Sequence, residues 1–319
     1  MHYSRPEINT FQCTLNEPIH CSGTGLHDAE EASLTLLPAP PDSGTHFLRR
    51  DIDITRALIP SRWGSIVETH PDTLLGNEYG IGVHGVEPLL AALRGCGVDN
   101  VLIEIKGYEV PSFDGSCAPW LQMINKAGVI AQEAARQFIW MDRIVAVRIG
   151  EHYASIMPGL LPSITVDDSI SGGSHALQAL TFSLVDHVFE REIAPARHPQ
   201  RETAGDDGYT DSEPRPDAAD NRFADEFMRY RMLESLGLLA LAEMPIYGQM
   251  YFYKPNAFVV DALLRKLFAS RDCWRELSYA EIEQMTGKLS TVSHQQKSDR
   301  RALPADSPWS TFPPDRVLQ

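Results

Sequence analysis

Val86-Glu87-Pro88-Leu89-Leu90-Ala91-Ala92-Leu93 is written as a helix and little else. Leucine, alanine and glutamate are strong helix formers, and six apolar residues in the row leave no polar face for a half-exposed strand. Pro88 suits the first turn, where its missing N–H costs nothing and its fixed φ is already helical. The same proline in a helix interior would cost about 3 kcal/mol. Gly95 and Gly97 supply the stop. A buried helix over 86–94 is therefore expected, with the acidic Glu87 at the positive end of its dipole.

Outward from this helix, the first part of the chain alternates strands and turns. Thr24-Gly25-Leu26-His27 is a turn, and Ala32-Ser33-Leu34-Thr35-Leu36 alternates as a half-buried strand does. Pro38 to Gly44 breaks the chain before Thr45-His46-Phe47-Leu48. Asn100 to Ile105 is a strand, and Ala118-Pro119-Trp120 opens a helix to about Ala127. A second round begins at Arg136–Trp140, with strands expected near 143–149 and 178–185 and helices near 224–242 and 259–269. The order of sheet, helix, strand and helix thus occurs twice, without an obvious sequence repeat. Residues 199–222 are polar, acidic and rich in Gly and Pro, as a flexible loop is. The chain after Gly287 lacks apolar periodicity and reads as a mobile tail. The expected division is 1–132, 133–287 and the tail 288–319.

Composition narrows the function classes. The 319 residues suffice for two ordinary domains, and 43% hydrophobic with 22% charged residues is a soluble globular balance. A net charge of −15 opposes nonspecific binding to nucleic acid or an anionic membrane surface. No apolar run is long enough to span a bilayer, and the start Met1–Pro6 lacks a signal peptide's apolar core. Cys13, Cys21, Cys96, Cys117 and Cys273 are dispersed without a Cys-x-x-Cys pair, the usage of reduced thiols in the cytoplasm. No nucleic acid partner and no membrane insertion are expected.

Several ordered blocks carry a resemblance. Thr14–Ile19, Ser22–His27, Leu34–Pro40 and Arg49-Arg50-Asp51 precede the helix, and Gly97–Asn100 and Glu109–Pro119 follow it. Later come Glu192–Arg197, Asp225–Arg229, Tyr253-Lys254 and Ala262–Leu267. In this order the blocks are similar to those of the UDP-3-O-acyl-N-acetylglucosamine deacetylases (LpxC), zinc enzymes of lipid A synthesis. The resemblance implies an α+β fold of two similar layered domains, with the active site in a cleft between them.

It also implies functional positions. The family's zinc is held by two histidines and an aspartate, and these positions are Pro88, Tyr230 and Glu234 here. Proline cannot ligate, neutral tyrosine is a poor zinc ligand, and a catalytic zinc needs three protein ligands plus water. The family's intermediate-stabilising threonine is His198, its general-acid histidine is Ala257, the aspartate orienting that histidine is Leu238, and a ligand-adjacent lysine is Arg231. Glu87 keeps the place of the general base, and Lys254 that of a substrate-facing lysine.

From these substitutions no metal and no cofactor is expected. The expected role is a non-catalytic binding or regulatory homologue, whose partner is an unknown small polar ligand or a protein. An alternative is a metal-independent enzyme using Glu87, Tyr230 and His198 as catalytic candidates, with Arg231 and Lys254 as an anion clamp. A more distant one is a metal site rebuilt from His84, His198, Glu87 and Glu234. Against each stands a plainer reading. Glu87 suits any helix start, and Tyr230, Arg231 and Lys254 suit any helix surface. His84 suits a turn, and Cys96 and Cys117 suit packing.

Overall fold

Alternating burial builds the first sheet. In β3 (Glu31–Pro38) Ala32, Leu34 and Leu36 turn inward, while Glu31 and Ser33 face out. In β9 (Val101–Lys106) Val101, Ile103 and Ile105 do the same. With β2 (Ile19–Thr24), β4 (Thr45–Arg49) and β5 (Leu58–Pro60) they form a five-stranded sheet in the order β2-β3-β9-β4-β5. β9 lies at its centre, antiparallel to β3 and parallel to β4, so that Ile103 stands between Leu36 and Phe47.

A computed structural model describes residues 10–26, 30–69, 73–167, 179–183, 193–197, 223 and 225–286. Within it the second half repeats the first sheet. β12 (Val145–Ile149), β13 (His152–Met157), β17 (Gln249–Tyr253), β14 (Ser163–Asp167) and β15 (Ala179–Ser183) pair in the order β12-β13-β17-β14-β15. The strand senses repeat as well. Each sheet runs antiparallel, antiparallel, parallel, antiparallel across its four pairings. The expected duplication is thus present in the topology, although the sequence carries no visible repeat.

Smaller pairings frame these sheets. β1 (Phe11–Leu15) pairs with β10 (Val129–Ala135). β6 (Ile66–Glu68), β7 (Leu74–Gly76) and β8 (Gly82–Val83) form one three-stranded sheet. β16 (Ile246–Tyr247), β11 (Gln137–Met141) and β18 (Trp274–Ser278) form another.

Helices supply the other layers: α1 (Glu87–Gly95), α2 (Ala118–Ala127), α3 (Glu226–Leu239) and α4 (Ala257–Ala269). α1 packs on α3 and α2, α3 packs on α4, and α4 lies over β12 and β13. One apolar core runs through both halves, from Phe47 and Ile103 through Leu89 and Leu233 to Phe252 and Leu263. The fold is therefore α+β, as expected. Met1–Tyr279 forms one compact unit, and the described part of the second unit, 280–286, is helical. The expected flexible loop 199–222 and tail 288–319 lie outside the described residues.

Candidate functional site

The site starts at the N-terminus of α1. Gly85 turns the chain with φ +65° before Val86, and Glu87 and Pro88 make the first turn. Leu89 to Leu93 are all buried, which anchors the helix along its length. Glu87 itself is only 6% exposed, so its carboxylate requires hydrogen-bonding partners. One is the backbone N–H of Thr73, which donates to Oε1 at 3.1 Å.

α3 brings the next group. Tyr230, Glu234 and Gly237 are spaced four and three apart, so they share one stripe of the helix. α1 crosses this stripe at Gly237, where an added Cβ would lie 2.8 Å from the Glu87 carbonyl carbon. Glu234 is one turn before the crossing. Tyr230 is seven residues before it, about 10 Å along the axis. Tyr230 is buried, and Leu238, just past the crossing, is 1% exposed. Arg231 Nη1 donates to Glu234 Oε2 at 2.8 Å, while its guanidinium lies 5.1 Å from the centre of the Phe227 ring. The carboxylate at one expected ligand position is therefore engaged by the neighbouring arginine.

The third group sits between β17 and α4. Lys254 has φ +46°, uncommon for a residue with a Cβ, and its N–H donates to the Asp167 carbonyl at 2.7 Å. Its own carbonyl lies 2.6 Å from His152 Nδ1, which must carry the proton because a carbonyl can only accept. Lys254 Nζ ion-pairs with Glu151, and that hydrogen bond holds the Glu151 carboxyl below its ordinary range. Asn256 then caps α4, its side chain accepting the N–H of Val259 at 2.9 Å. Ala257, the first residue of α4, packs against the core.

The expected site residues thus divide. Glu87, Glu234 and Leu238 lie at the crossing of α1 and α3 or within a turn of it, whereas Tyr230 lies two turns before it on α3. Arg231 is on α3 and Lys254 on the β17–α4 connection, each with a carboxylate partner already in place. His84 belongs elsewhere: it precedes α1, and its Nε2 lies 3.0 Å from the Tyr108 hydroxyl. His198 lies outside the described residues. The segment before it is fixed at both ends, by Cys117 N–H on the Ala194 carbonyl at 3.2 Å and Arg197 N–H on Glu226 at 2.9 Å. Two partners escaped the sequence reading. Thr73 is fourteen residues from Glu87, and Glu151 is 103 from Lys254.

Pro88, Tyr230 and Glu234 do not by themselves supply three zinc ligands. Pro88 cannot bind a metal, Tyr230 is a buried phenol, and Glu234 is held by Arg231. Among the described residues no group of three His, Cys, Asp or Glu side chains could hold a metal ion. A three-ligand site does not fit these residues by themselves. No described helix is long and apolar enough to cross a membrane.

The profile of LpxC, UDP-3-O-acyl N-acetylglycosamine deacetylase, matches residues 12–201. A UDP-3-O-acyl-N-acetylglucosamine deacetylase of Anaeromyxobacter sp. (strain Fw109-5) is 35% identical over 289 residues, 83% of this chain and 90% of that protein. The enzyme of that name from Syntrophotalea carbinolica is 30% identical over 85% of this chain and 92% of its own length. The one from Idiomarina loihiensis is 32% identical over 88% and 96%.

These relatives overturn the expectation of a non-catalytic homologue and of the small polar substrate given to its enzymatic alternative. Counting ligands weighs a few side chains, whereas the likeness to enzymes named for deacetylation extends through both halves. Lost zinc binding and lost activity are not shown. The matched stretch 12–201 includes α1, a relative is 35% identical over 83% of the chain, and the chain belongs to the UDP-3-O-acyl-N-acetylglucosamine deacetylase family.

Proposed function

We propose that this chain is a deacetylase acting on the class of substrate named for its relatives, a UDP-linked, 3-O-acylated N-acetylglucosamine. The observation that carries the reading is identity of 30–35% with enzymes of that name over 83–88% of the chain. Glu87 supports it locally, as a buried carboxylate kept at a helix N-terminus. In this reading Glu87 takes a proton from a water molecule whose oxygen adds to the acetyl carbonyl carbon. The carbon–nitrogen bond then breaks, Glu87 returns the proton to the departing amine, and acetate and a free amine are the products.

Arg231 and Lys254 are the candidate anion contacts, each exchanging its carboxylate partner for a substrate phosphate. Tyr230 remains a candidate donor, and so, from its place in the sequence, does His198. The repeated strand order supports taking 1–132 and 133–287 as two halves of the molecule. A cytoplasmic setting is part of the proposal, supported by cysteines that are all free. Mass spectrometry of the nucleotide sugar after incubation with the protein tests the reading. Loss of one acetyl group is expected, and recovery of unchanged substrate would refute it.

A further inference from the structure

The turn joining β12 to β13 grips Lys254 with two adjacent side chains. Glu151 takes the ammonium, and His152 takes the backbone. The pairing of Tyr153 with Tyr253 sets His152 opposite Lys254 at the end of the sheet. Lys254 has φ +46°, a conformation that persists only where its surroundings hold it. Bonds on both sides of its Cα do so. Its N–H donates to the Asp167 carbonyl at 2.7 Å, and its carbonyl accepts from His152 Nδ1 at 2.6 Å. The other face of the ring is tied to the start of α4. Asn256 Oδ1 accepts the Val259 N–H at 2.9 Å, which turns Asn256 Nδ2 toward His152 Nε2, 3.4 Å away. Nε2 therefore accepts and Nδ1 donates, so one tautomer of the ring serves both contacts.

We propose that His152 is a positioning residue for Lys254; the inference rests on the reading that gives Lys254 a substrate phosphate. By holding the Lys254 carbonyl, His152 sets the direction in which the ammonium leaves the backbone. Glu151 occupies that ammonium until a phosphate of the nucleotide replaces it. His152 keeps the backbone in place during the exchange, so the cation meets the phosphate already oriented.

His152→Leu and His152→Asn, each assayed for acetate release and for UDP binding by calorimetry, test this. His152→Leu removes the donor and should raise KM and the UDP dissociation constant alike by about tenfold, the scale of one hydrogen bond. Its kcat should be nearly unchanged, because a contact remote from the acetyl group binds substrate and transition state equally. In His152→Asn an amide nitrogen stands in place of Nδ1 and should restore most of the affinity. In His152→Gln the amide reaches toward Asn256 instead, so this variant should bind as weakly as His152→Leu and replaces it should the latter not fold. With the wild type active, unchanged KM and UDP affinity in His152→Leu overturn the inference alone. A fall in kcat at constant KM, or equal losses in His152→Leu and His152→Asn, overturn it too. UDP binding without turnover refutes only the deacetylase reading, and the UDP comparison then decides the inference. A wild type that neither turns over nor binds UDP overturns both.

Discussion

Gly237 of α3 lies directly against the backbone of Glu87, so close that any Cβ there would strike the Glu87 carbonyl group. The base candidate is therefore placed by a helix crossing that only glycine permits. Gly237→Ala should force α1 away from α3 and destabilise the protein by about 3 kcal/mol, the upper end of overpacking costs. Urea unfolding of the variant checks this. A midpoint equal to the wild type would show that α1 and α3 are less tightly apposed.

Behind the same helix, Asp99 accepts hydrogen bonds from Arg136 at 2.6 Å and from the Cys13 N–H at 2.8 Å. Arg136 also bonds the Gly97 carbonyl, just past the end of α1. Arg136→Met would leave the Asp99 charge largely buried without its main partner, a loss of about 3–5 kcal/mol. The double change with Asp99→Asn should recover part of that loss. Equilibrium unfolding of the three variants measures the coupling.

Asn256 closes the first turn of α4 beside Lys254. Asn256→Ala should cost about 1 kcal/mol, while Asn256→Asp, which keeps the accepting oxygen, should cost much less. Thermal unfolding distinguishes them.

Burial pushes the Cys21 thiol up to about 11. A raised thiol keeps its proton in the folded state after the unfolded chain has lost its own. The stability this contributes is complete below the ordinary value near 9.0 and is lost as pH rises toward about 11. Cys21 should react slowly with iodoacetamide at pH 8. The stability difference between wild type and Cys21→Ala should shift against the wild type between these pH values.

Much of the fold was legible in the residues. Pro88 and Gly95 bracketed α1 because proline is tolerated only at a helix start and glycine ends helices cheaply. The alternation of Ala32, Leu34 and Leu36 marked β3. The second sheet was harder to see, since its central strand β17 pairs with β13 and β14 from nearly a hundred residues earlier. Such pairing leaves no local trace. Ile164 and Val166 do alternate with Thr165, and Met250 and Phe252 with Tyr251, which would have marked β14 and β17.

At the site, the shared stripe of Tyr230 and Glu234 follows from helical spacing. The Thr73 and Glu151 contacts are products of tertiary folding and could not be read. Function was misjudged because altered side chains at the zinc positions were given more weight than the continuity of the whole scaffold.

The central claim is that Glu87 drives removal of an acetyl group from a UDP-linked, 3-O-acylated N-acetylglucosamine. The most direct test is acetate release from that substrate by the wild type and by Glu87→Gln, with circular dichroism confirming that both are folded. The account predicts turnover by the wild type and a loss of about a hundredfold or more in kcat for Glu87→Gln, the scale of a missing general base. Absence of turnover in the wild type, or equal rates for the two proteins, would contradict it.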